Sequence, residues 1–577
     1  MVERICPKCK IPMNGEKCIK KSCQTRTIMS TTIYWCSECN VPVFEPFCSK
    51  CGTSADYIAT DIRPVFPEEK LLLAIVQEKA NPLCYDSSAV WYGGGAYIID
   101  GKKVKLSITT INQWPLDRIR EVKNQYDSYK NKINETCFKH NIQTFVEANA
   151  NHYNDITEEA VQFIQSYKEQ YAVTDMMVSF SGGKDSTVTS HLVNKALGTN
   201  KVLHVFGDTT LEFPTTIEYK QRLNKNAESQ GVRILTAKNR EKNFEELCEV
   251  IGPPSRVMRW CCTVFKTGAI QKTIASAFKD KTNVLTFYGI RRSESTSRSK
   301  YERESESPKI SKQTVVSPII DWSDYDVWLY ILTTGIDFNY AYRLGYSRVG
   351  CWCCPNNGAW SEFLSKVHMY EQYVHWRELL IRFAKNIGKL DPEEYVDEGN
   401  WKARQGGNGL SAAQKSIVTF EPCATDTNAF NYELQRPISE ELYELFKPFG
   451  YINKELGNAR LGEVYILNKS GKVVLILQGR VGSTKLKVTI KDIHIAGSKT
   501  LSVAEGKIQC QLTKYQMCLG CKACESVCKH DAVSVKDDGR GIISYNIDNE
   551  KCVRCTECVG HFNAGCYMRK ILTIKRN

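Results

Sequence analysis

Two rhythms of apolar residues divide this chain into regions. Between residues 172 and 335, short apolar runs alternate with amphipathic stretches. The runs Asp175–Ser179, Val202–Phe206, Arg233–Thr236 and Asn283–Tyr288 have strand length and predict buried strands. Segments near Ser186–Leu197, Thr216–Gln230, Asn243–Val250 and Thr267–Phe278 carry apolar residues at helical spacing. Their alternation predicts an α/β unit with a parallel sheet and flanking helices. Upstream, Ala89 to Lys102 reads as two short strands, with Gly93-Gly94-Gly95 as a turn or bulge rather than a phosphate cradle. Helical patterns follow at Leu116–Asn134 and Thr157–Gln170. Downstream, Val464–Leu467 and Val473–Leu477 flank Asn468-Lys469-Ser470-Gly471-Lys472, a hairpin pattern within a mixed α+β stretch. Residues 1–55 and the last seventy or so show neither rhythm and are rich in cysteine instead.

The chain has 577 residues and 42% hydrophobic content, enough for several cores at about 150 residues each. The expected organisation is multidomain: a cysteine-rich segment at 1–57, a small α+β region of unassigned role at 58–150, and the α/β domain at 151–404. A second α+β region at 405–506 and a cysteine-rich tail at 507–577 complete it. No run of eighteen apolar residues is present, so no transmembrane helix and no membrane partner are expected. The start, Met1-Val2-Glu3-Arg4-Ile5-Cys6, lacks an apolar signal segment, and a cytoplasmic protein is expected.

The cysteines change this picture most. There are 26, and most fall into sets with metal-ligand spacing rather than disulfide spacing. Cys6-x2-Cys9-x8-Cys18-x4-Cys23 is followed by Cys36-x2-Cys39-x8-Cys48-x2-Cys51. Each set offers four soft ligands within a short stretch, which suits tetrahedral zinc, so two Zn²⁺ sites in a double zinc ribbon are expected. A segment so poor in apolar residues draws its folding energy from the metal. Iron in a rubredoxin-like site uses the same ligands and stays open. In the tail, Cys518-x2-Cys521-x2-Cys524-x3-Cys528 is the bacterial ferredoxin run, followed by Cys552-x2-Cys555-x2-Cys558-x7-Cys566. In the two-cluster arrangement the fourth cysteine of each run serves the other cluster. One [4Fe-4S] cluster is therefore assigned to Cys518, Cys521, Cys524 and Cys566, the other to Cys552, Cys555, Cys558 and Cys528. Lys529 and Tyr567 stand where proline is usual.

The formal charge of +13 invites a nucleic-acid reading. Five four-thiolate sites at −2 each bring the loaded protein to about +3, and bulk charge then carries no such implication.

The strand Met176–Phe180 runs into Ser181-Gly182-Gly183-Lys184-Asp185-Ser186 and then a helix. Glycines let backbone N–H groups approach an anion, and the helix N-terminus adds positive potential. The loop is not a Walker A sequence. It resembles the PP-loop of the adenine nucleotide alpha-hydrolase superfamily. The segments Phe206–Thr215, Gly289–Arg298 and Ser317–Trp328 narrow the resemblance to the phosphoadenosine phosphosulfate (PAPS) and adenosine phosphosulfate (APS) reductase family. In the first of them Thr210 replaces a glycine of the family pattern. The resemblance covers about residues 170–360. It implies nucleotide and substrate binding by Ser181, Gly182, Gly183, Lys184, Asp185, Ser186, Asp208, Glu212, Arg291, Arg292 and Arg298, the arginines offering forked donors to phosphate and sulfate oxygens.

Cys261-Cys262 and Cys351-x2-Cys354 resemble the pattern by which APS reductases hold a [4Fe-4S] cluster, which would be the third in this chain. Cys353 is an additional thiol there and leaves the ligand assignment open. Family reductases attack the phosphosulfate with a cysteine in an E-C-G-[IL]-H run, which is absent here. Cys353, Cys423 and Cys510 are the candidate nucleophiles, none with an activation signal in the sequence. The resemblance thus implies reduction of APS or PAPS to sulfite and AMP or PAP, with a low-potential electron donor feeding the fused clusters. The rival keeps the fold and uses ATP to transfer sulfur onto tRNA or DNA. A non-enzymatic electron carrier is a third class, and an intact S-G-G-K-D-S loop speaks against it.

Overall fold

The computed structural model describes residues 3–6, 18–20, 23, 27–30, 32–225, 232–256, 259–295, 298–306, 313–403, 418–518, 520–537, 543–560 and 574–576. Cys9 and Cys566 lie outside them. The chain forms two compact units whose segments interleave: 1–207, 211–237 and 273–374 make one, and 208–210, 238–272 and 375–577 the other. The boundary passes through the stretch that the sequence reads as one contiguous α/β domain.

The first unit is built on a six-stranded sheet. Its order is Ile234–Lys238, Leu203–Asp208, Met176–Phe180, Val284–Tyr288, Gln313–Val316, Glu304–Glu306. Met176–Phe180 pairs in parallel with strands on both sides. Glu304–Glu306 is antiparallel and exposed, which makes the sheet mixed rather than parallel throughout. Its glutamates charge the edge that would otherwise pair with another chain. The helix Lys184–Leu197 begins at the loop after Met176–Phe180 and ends on left-handed Gly198. Successive connections leave this central strand in opposite directions, first to Leu203–Asp208 and later to Val284–Tyr288. The chain reverses there, and ligands of open α/β sheets bind at such a switch point, beyond the carboxyl ends of the strands. The 181–186 loop occupies that position.

Small antiparallel sheets and helices belong to the same unit. Ile33–Cys36, Val41–Val43 and Asp56–Ala59 form a small antiparallel sheet. Ile62–Pro64, Val90–Gly93, Ala96–Ile99 and Lys102–Val104 form a second. Gly94 and Gly95 take positive φ and make the hairpin turn, as the sequence reads them. Helices Leu116–Tyr129, Thr136–Ala148 and Ala150–Gln165 follow. The helix Asp324–Thr334 carries a Ser323/Asp326 capping box and stops at left-handed Gly335.

The second unit holds a seven-stranded sheet that includes the 463–478 hairpin. Its apolar face, with Ile466, Leu475, Leu477, Val488 and Ile490, shares one core with the helix Leu501–Met517 and the tail. The 238–272 segment supplies helix Phe244–Ile251, capped by the Asn243 side chain. The Phe244 ring packs on Trp260 and Trp376.

Candidate nucleotide and metal sites

The loop is held from within and from behind. The Ser181 N–H donates to Ser186 Oγ at 3.2 Å, and that hydroxyl donates to the Gly183 carbonyl at 2.8 Å. The Asn339 amide donates to the Gly182 carbonyl, and the Lys184 N–H donates to the Tyr342 hydroxyl at 2.8 Å. Gly182 has φ +72°, and a Cβ there would meet Thr216 at 2.8 Å. At Gly289 a Cβ would meet the Asp185 backbone at 2.6 Å. Both positions require glycine, one for conformation and close approach, the other for close approach alone.

Behind the loop lies a buried charge network. Lys184 Nζ sits 3.1 Å from the Ser347 carbonyl, 3.3 Å from Asp324 and 3.6 Å from Asp185. The Arg291 fork spans the two carboxylates, with Nε donating to Asp185 and Nη2 to Asp324, both at 2.5 Å. Asp61, from the amino-terminal region, accepts the Asp324 and Tyr325 N–H groups at 3.0 Å each. Burial pushes Asp324 and Asp185 up, but Lys184 and Arg291 outweigh it and hold both below the usual range. For Asp61 burial wins, helped by Asp324, and its carboxyl is pushed up to about 7.

The arginines divide. Arg291 is 3% exposed, and its fork is spent on Asp185 and Asp324, so it builds the loop. Arg292 pairs with Asp321 and donates to the Tyr301 carbonyl. Arg298 pairs with Glu294, and Arg348 stands 3.9 Å from that same carboxylate with its side chain 66% exposed. Burial lowers the Arg298 pKa, and the neighbouring Arg348 charge lowers it further. Arg298 feels the charges of both Arg348 and Asp185, and Arg348 was not among the residues expected from the sequence.

Glu212 forms a lone bridge with Cys351, and the Trp352 N–H donates to the Leu211 carbonyl, so the Cys351–Cys354 turn is sewn to that strand end. Asp208 accepts the Thr210 N–H and pairs with Lys238 at 3.5 Å. Thr210 has φ +66°, a region hostile to β-branched residues. Thr210→Gly should raise stability by about 1 kcal/mol, read as a higher thermal midpoint, whereas Thr210→Ala should not.

The cysteine sets differ in spacing. The Sγ atoms of Cys36, Cys39, Cys48 and Cys51 lie within 4.8 Å of one another, as do those of Cys6, Cys18 and Cys23. A zinc tetrahedron with bonds of about 2.3 Å has S···S edges of about 3.8 Å, and these sets fit it. Cys528, Cys552, Cys555 and Cys558 line one common pocket. Four thiols converging on one pocket is the donor set a [4Fe-4S] cluster requires. Cys518, Cys521 and Cys524 lie on the neighbouring loop and helix. Cys261 and Cys262 belong to the second unit, Cys351 and Cys354 to the first. Arg259 and Cys261 donate to the Cys262 sulfur; the Cys261 bond contributes most to bringing that thiol down to about 5.

Of the candidate nucleophiles, Cys353 is 7% exposed and Cys510 is 2% exposed in the core of the second unit. Cys423 follows the strand Val418–Pro422, and its bond with the Thr425 hydroxyl lowers its pKa.

Comparison with known proteins adds the following. The model of the phosphoadenosine phosphosulfate reductase domain matches residues 175–357, and that of the 4Fe-4S dicluster domain matches 517–561. Two uncharacterized proteins of Methanocaldococcus jannaschii are 29% identical over 330 residues and 32% identical over 270. These matches span 57% and 46% of this chain, and 65% and 61% of those relatives. An adenosine 5'-phosphosulfate reductase of Oceanobacillus iheyensis is 27% identical over 204 residues, 35% of this chain and 80% of that enzyme. Among solved structures, the phosphate complex of PAPS reductase from Candida auris aligns with 17% identity and a TM-score of 0.26, over 35% of this chain and 95% of that one. No described helix is long and apolar enough to cross a membrane.

Proposed function

We propose, for a chain that carries a phosphoadenosine phosphosulfate reductase domain and a 4Fe-4S dicluster domain, the reduction of an adenylyl sulfate to sulfite and a nucleotide. The substrate is APS or PAPS and the nucleotide product AMP or PAP. The observation that carries this reading is the union, on one polypeptide, of that domain with a tail whose Cys528, Cys552, Cys555 and Cys558 converge on one cavity.

In this reading the 181–186 loop receives the nucleotide phosphate at the start of the helix. Arg298 and Arg348 face the sulfate, and Arg291 with Asp324 fixes Asp185 and Lys184. The step takes two electrons and one proton. The S–O bond breaks, the bridging oxygen leaves on the nucleotide phosphate, sulfur falls from S(VI) to S(IV), and hydrogen sulfite forms. The electrons come from a low-potential one-electron donor by way of the tail. When bound, the clusters supply single-electron storage and relay. Cys518, Cys521, Cys524 and Cys566 are proposed to hold one, and Cys528, Cys552, Cys555 and Cys558 another. The third set, Cys261, Cys262, Cys351 and Cys354, rests on its spacing in the sequence. The amino-terminal sets are proposed to hold two Zn²⁺, supported by their sulfur spacing.

The test is anaerobic. Reconstituted full-length protein is given APS or PAPS with dithionite, and sulfite and nucleotide are measured together. Equal yields of the two are expected. Intact clusters with no product from either nucleotide, alongside ATP-dependent pyrophosphate release with RNA or DNA, would replace this reading with sulfur transfer.

A further inference from the structure

Within the second unit, the tail and the helix before it bury a cation and a phenol among sulfurs. Lys514 lies in the last turn of the helix Leu501–Met517, and the Cys518 N–H donates to its carbonyl at 2.9 Å. Its side chain is buried, with Nζ donating to the Cys558 carbonyl at 2.6 Å and standing 6.0 Å from the centre of the Tyr545 ring. Tyr545 belongs to the strand Ile543–Ile547, which pairs with Val533–Asp537. Strand alternation turns Tyr545 and Ile547 inward and leaves Ser544 and Asn546 exposed. Ile547 lines the pocket of Cys528, Cys552, Cys555 and Cys558. Tyr545 shares its core with Cys518, Cys524 and Cys558.

Tyr545 is 8% exposed, and its hydroxyl is buried with no hydrogen-bond partner among the described residues. Native structures rarely leave a buried hydroxyl in that state. The ionisable groups that face it are the thiols of Cys524, Cys558 and Cys518, Cys524 foremost. These are proposed cluster ligands, and a cluster brings the acceptor that the hydroxyl lacks, a thiolate or sulfide. The residues present therefore fit the group. Lys514 acts in the same sense. Burial pushes the Cys518, Cys521 and Cys558 thiols up, and the Lys514 charge opposes it at each of the three.

We infer that Tyr545 and Lys514 set the reduction potentials of the tail clusters. The phenol donates to the sulfur shell of the Cys518–Cys521–Cys524 cluster, and the ammonium stands beside ligands of both clusters. Reduction adds negative charge, so a donor to sulfur and a neighbouring cation both favour the reduced form and raise the potential. The electron comes from the low-potential donor, the phenol keeps its proton, and no bond is made or broken. Because Tyr545 acts mainly on one cluster, the two titrate apart, with the Cys518–Cys521–Cys524 cluster reduced first. The inference rests on the tail clusters and on no nucleotide chemistry.

The experiment uses the full chain, reconstituted anaerobically without nucleotide, poised with dithionite and mediator dyes and read by EPR. The Cys518–Cys521–Cys524 cluster is identified as the signal lost in Cys521→Ala. At the potential where that cluster is half reduced in the parent, Tyr545→Phe should lower its reduced-to-oxidised ratio about tenfold, the scale of one charge-assisted hydrogen bond. For a one-electron couple that is a shift of about 59 mV. Iron content and signal shape should be retained, and the other cluster should move less. Lys514→Met, which removes the charge and keeps most of the volume, should lower the ratio of both clusters.

A parental ratio in Tyr545→Phe with iron retained would overturn the inference, as would an equal shift of both clusters in that variant. Should Tyr545→Phe lose iron, Lys514→Met decides: lowered ratios support the inference and parental ones sink it. A parent whose reconstituted tail holds no cluster iron would overturn it too. Failure of the reductase reading shows separately, as absence of sulfite from a protein whose clusters titrate as expected.

Discussion

Arg291→Ala lowers the stability of the unit that carries the 181–186 loop by about 3–5 kcal/mol, the cost of removing one partner from a largely buried ion cluster. The guanidinium is 3% exposed and bridges Asp185 to Asp324. Without it, two half-buried carboxylates share Lys184 alone, beside an Asp61 already pushed up to about 7 by burial and by Asp324. Relief comes by protonation of an aspartate or by opening of the loop, and either one dismantles the site. Arg291→Lys recovers little, because a point charge cannot span two carboxylates as the fork does. The thermal midpoint should fall by roughly 5–10 °C, and stabilisation of the protein by added AMP should vanish. A variant with the parental midpoint and intact AMP response would mean that the network is not what holds the loop.

Under the proposed zinc assignment, Cys48→Ser should remove one zinc per chain and weaken the proposed nucleotide site through the packing between them. Structural zinc supplies about 10–16 kcal/mol to small metal-held modules. The second ribbon is fastened to the rest of its unit. The Phe44 N–H donates to Asn149, Ser49 donates to the Ala148 carbonyl, and the Phe44 ring stacks on His152 at 3.5 Å. Asn149 in turn accepts the Tyr325 hydroxyl, and Tyr325 follows Asp324. Cys36, Cys48, Trp91, Phe145 and Tyr325 share one core cluster. Metal analysis should show the loss, and the thermal midpoint and AMP affinity should fall together. Under the same assignment, Cys18→Ser should cost a zinc with little effect on AMP, since among the described residues Cys18 shares a small apolar cluster with Cys6 and Cys23, separate from the one that contains Tyr325.

The strands and helices of the α/β sheet were legible because period and turn residues are local properties. The expected strand Asn283–Tyr288 forms as Val284–Tyr288, and the expected helix Ser186–Leu197 as Lys184–Leu197. The loop was legible for the same reason, being six consecutive residues. Its support was not. Asp61 reaches Asp324 across 263 positions, and nothing near either residue announces the other. Arg291 was visible, but its task was not: the same fork serves a substrate sulfate or a pair of buried aspartates, and burial decides which. The two-unit division was hidden because 238–272 has ordinary α/β patterning and joins the other unit through pairs such as Gly268–Ser526. The helical stretch Ala359–Asn386 likewise drew no reading, although its pattern is amphipathic.

The close packing of Gly268 on Ser526, beside the bond from the Gln271 side chain to the Cys528 carbonyl, sets a schedule for biosynthesis. Gln271 and the cysteine whose carbonyl it binds are 257 positions apart. At about 5–20 residues per second of translation, the Cys261–Cys262 turn waits roughly 10–50 s for the surface that covers it. During that interval its two thiols are exposed on a growing chain. A cell making this protein in air would have to shield or repair them before the Ala523–Val527 helix arrives, whereas an anaerobic one would not.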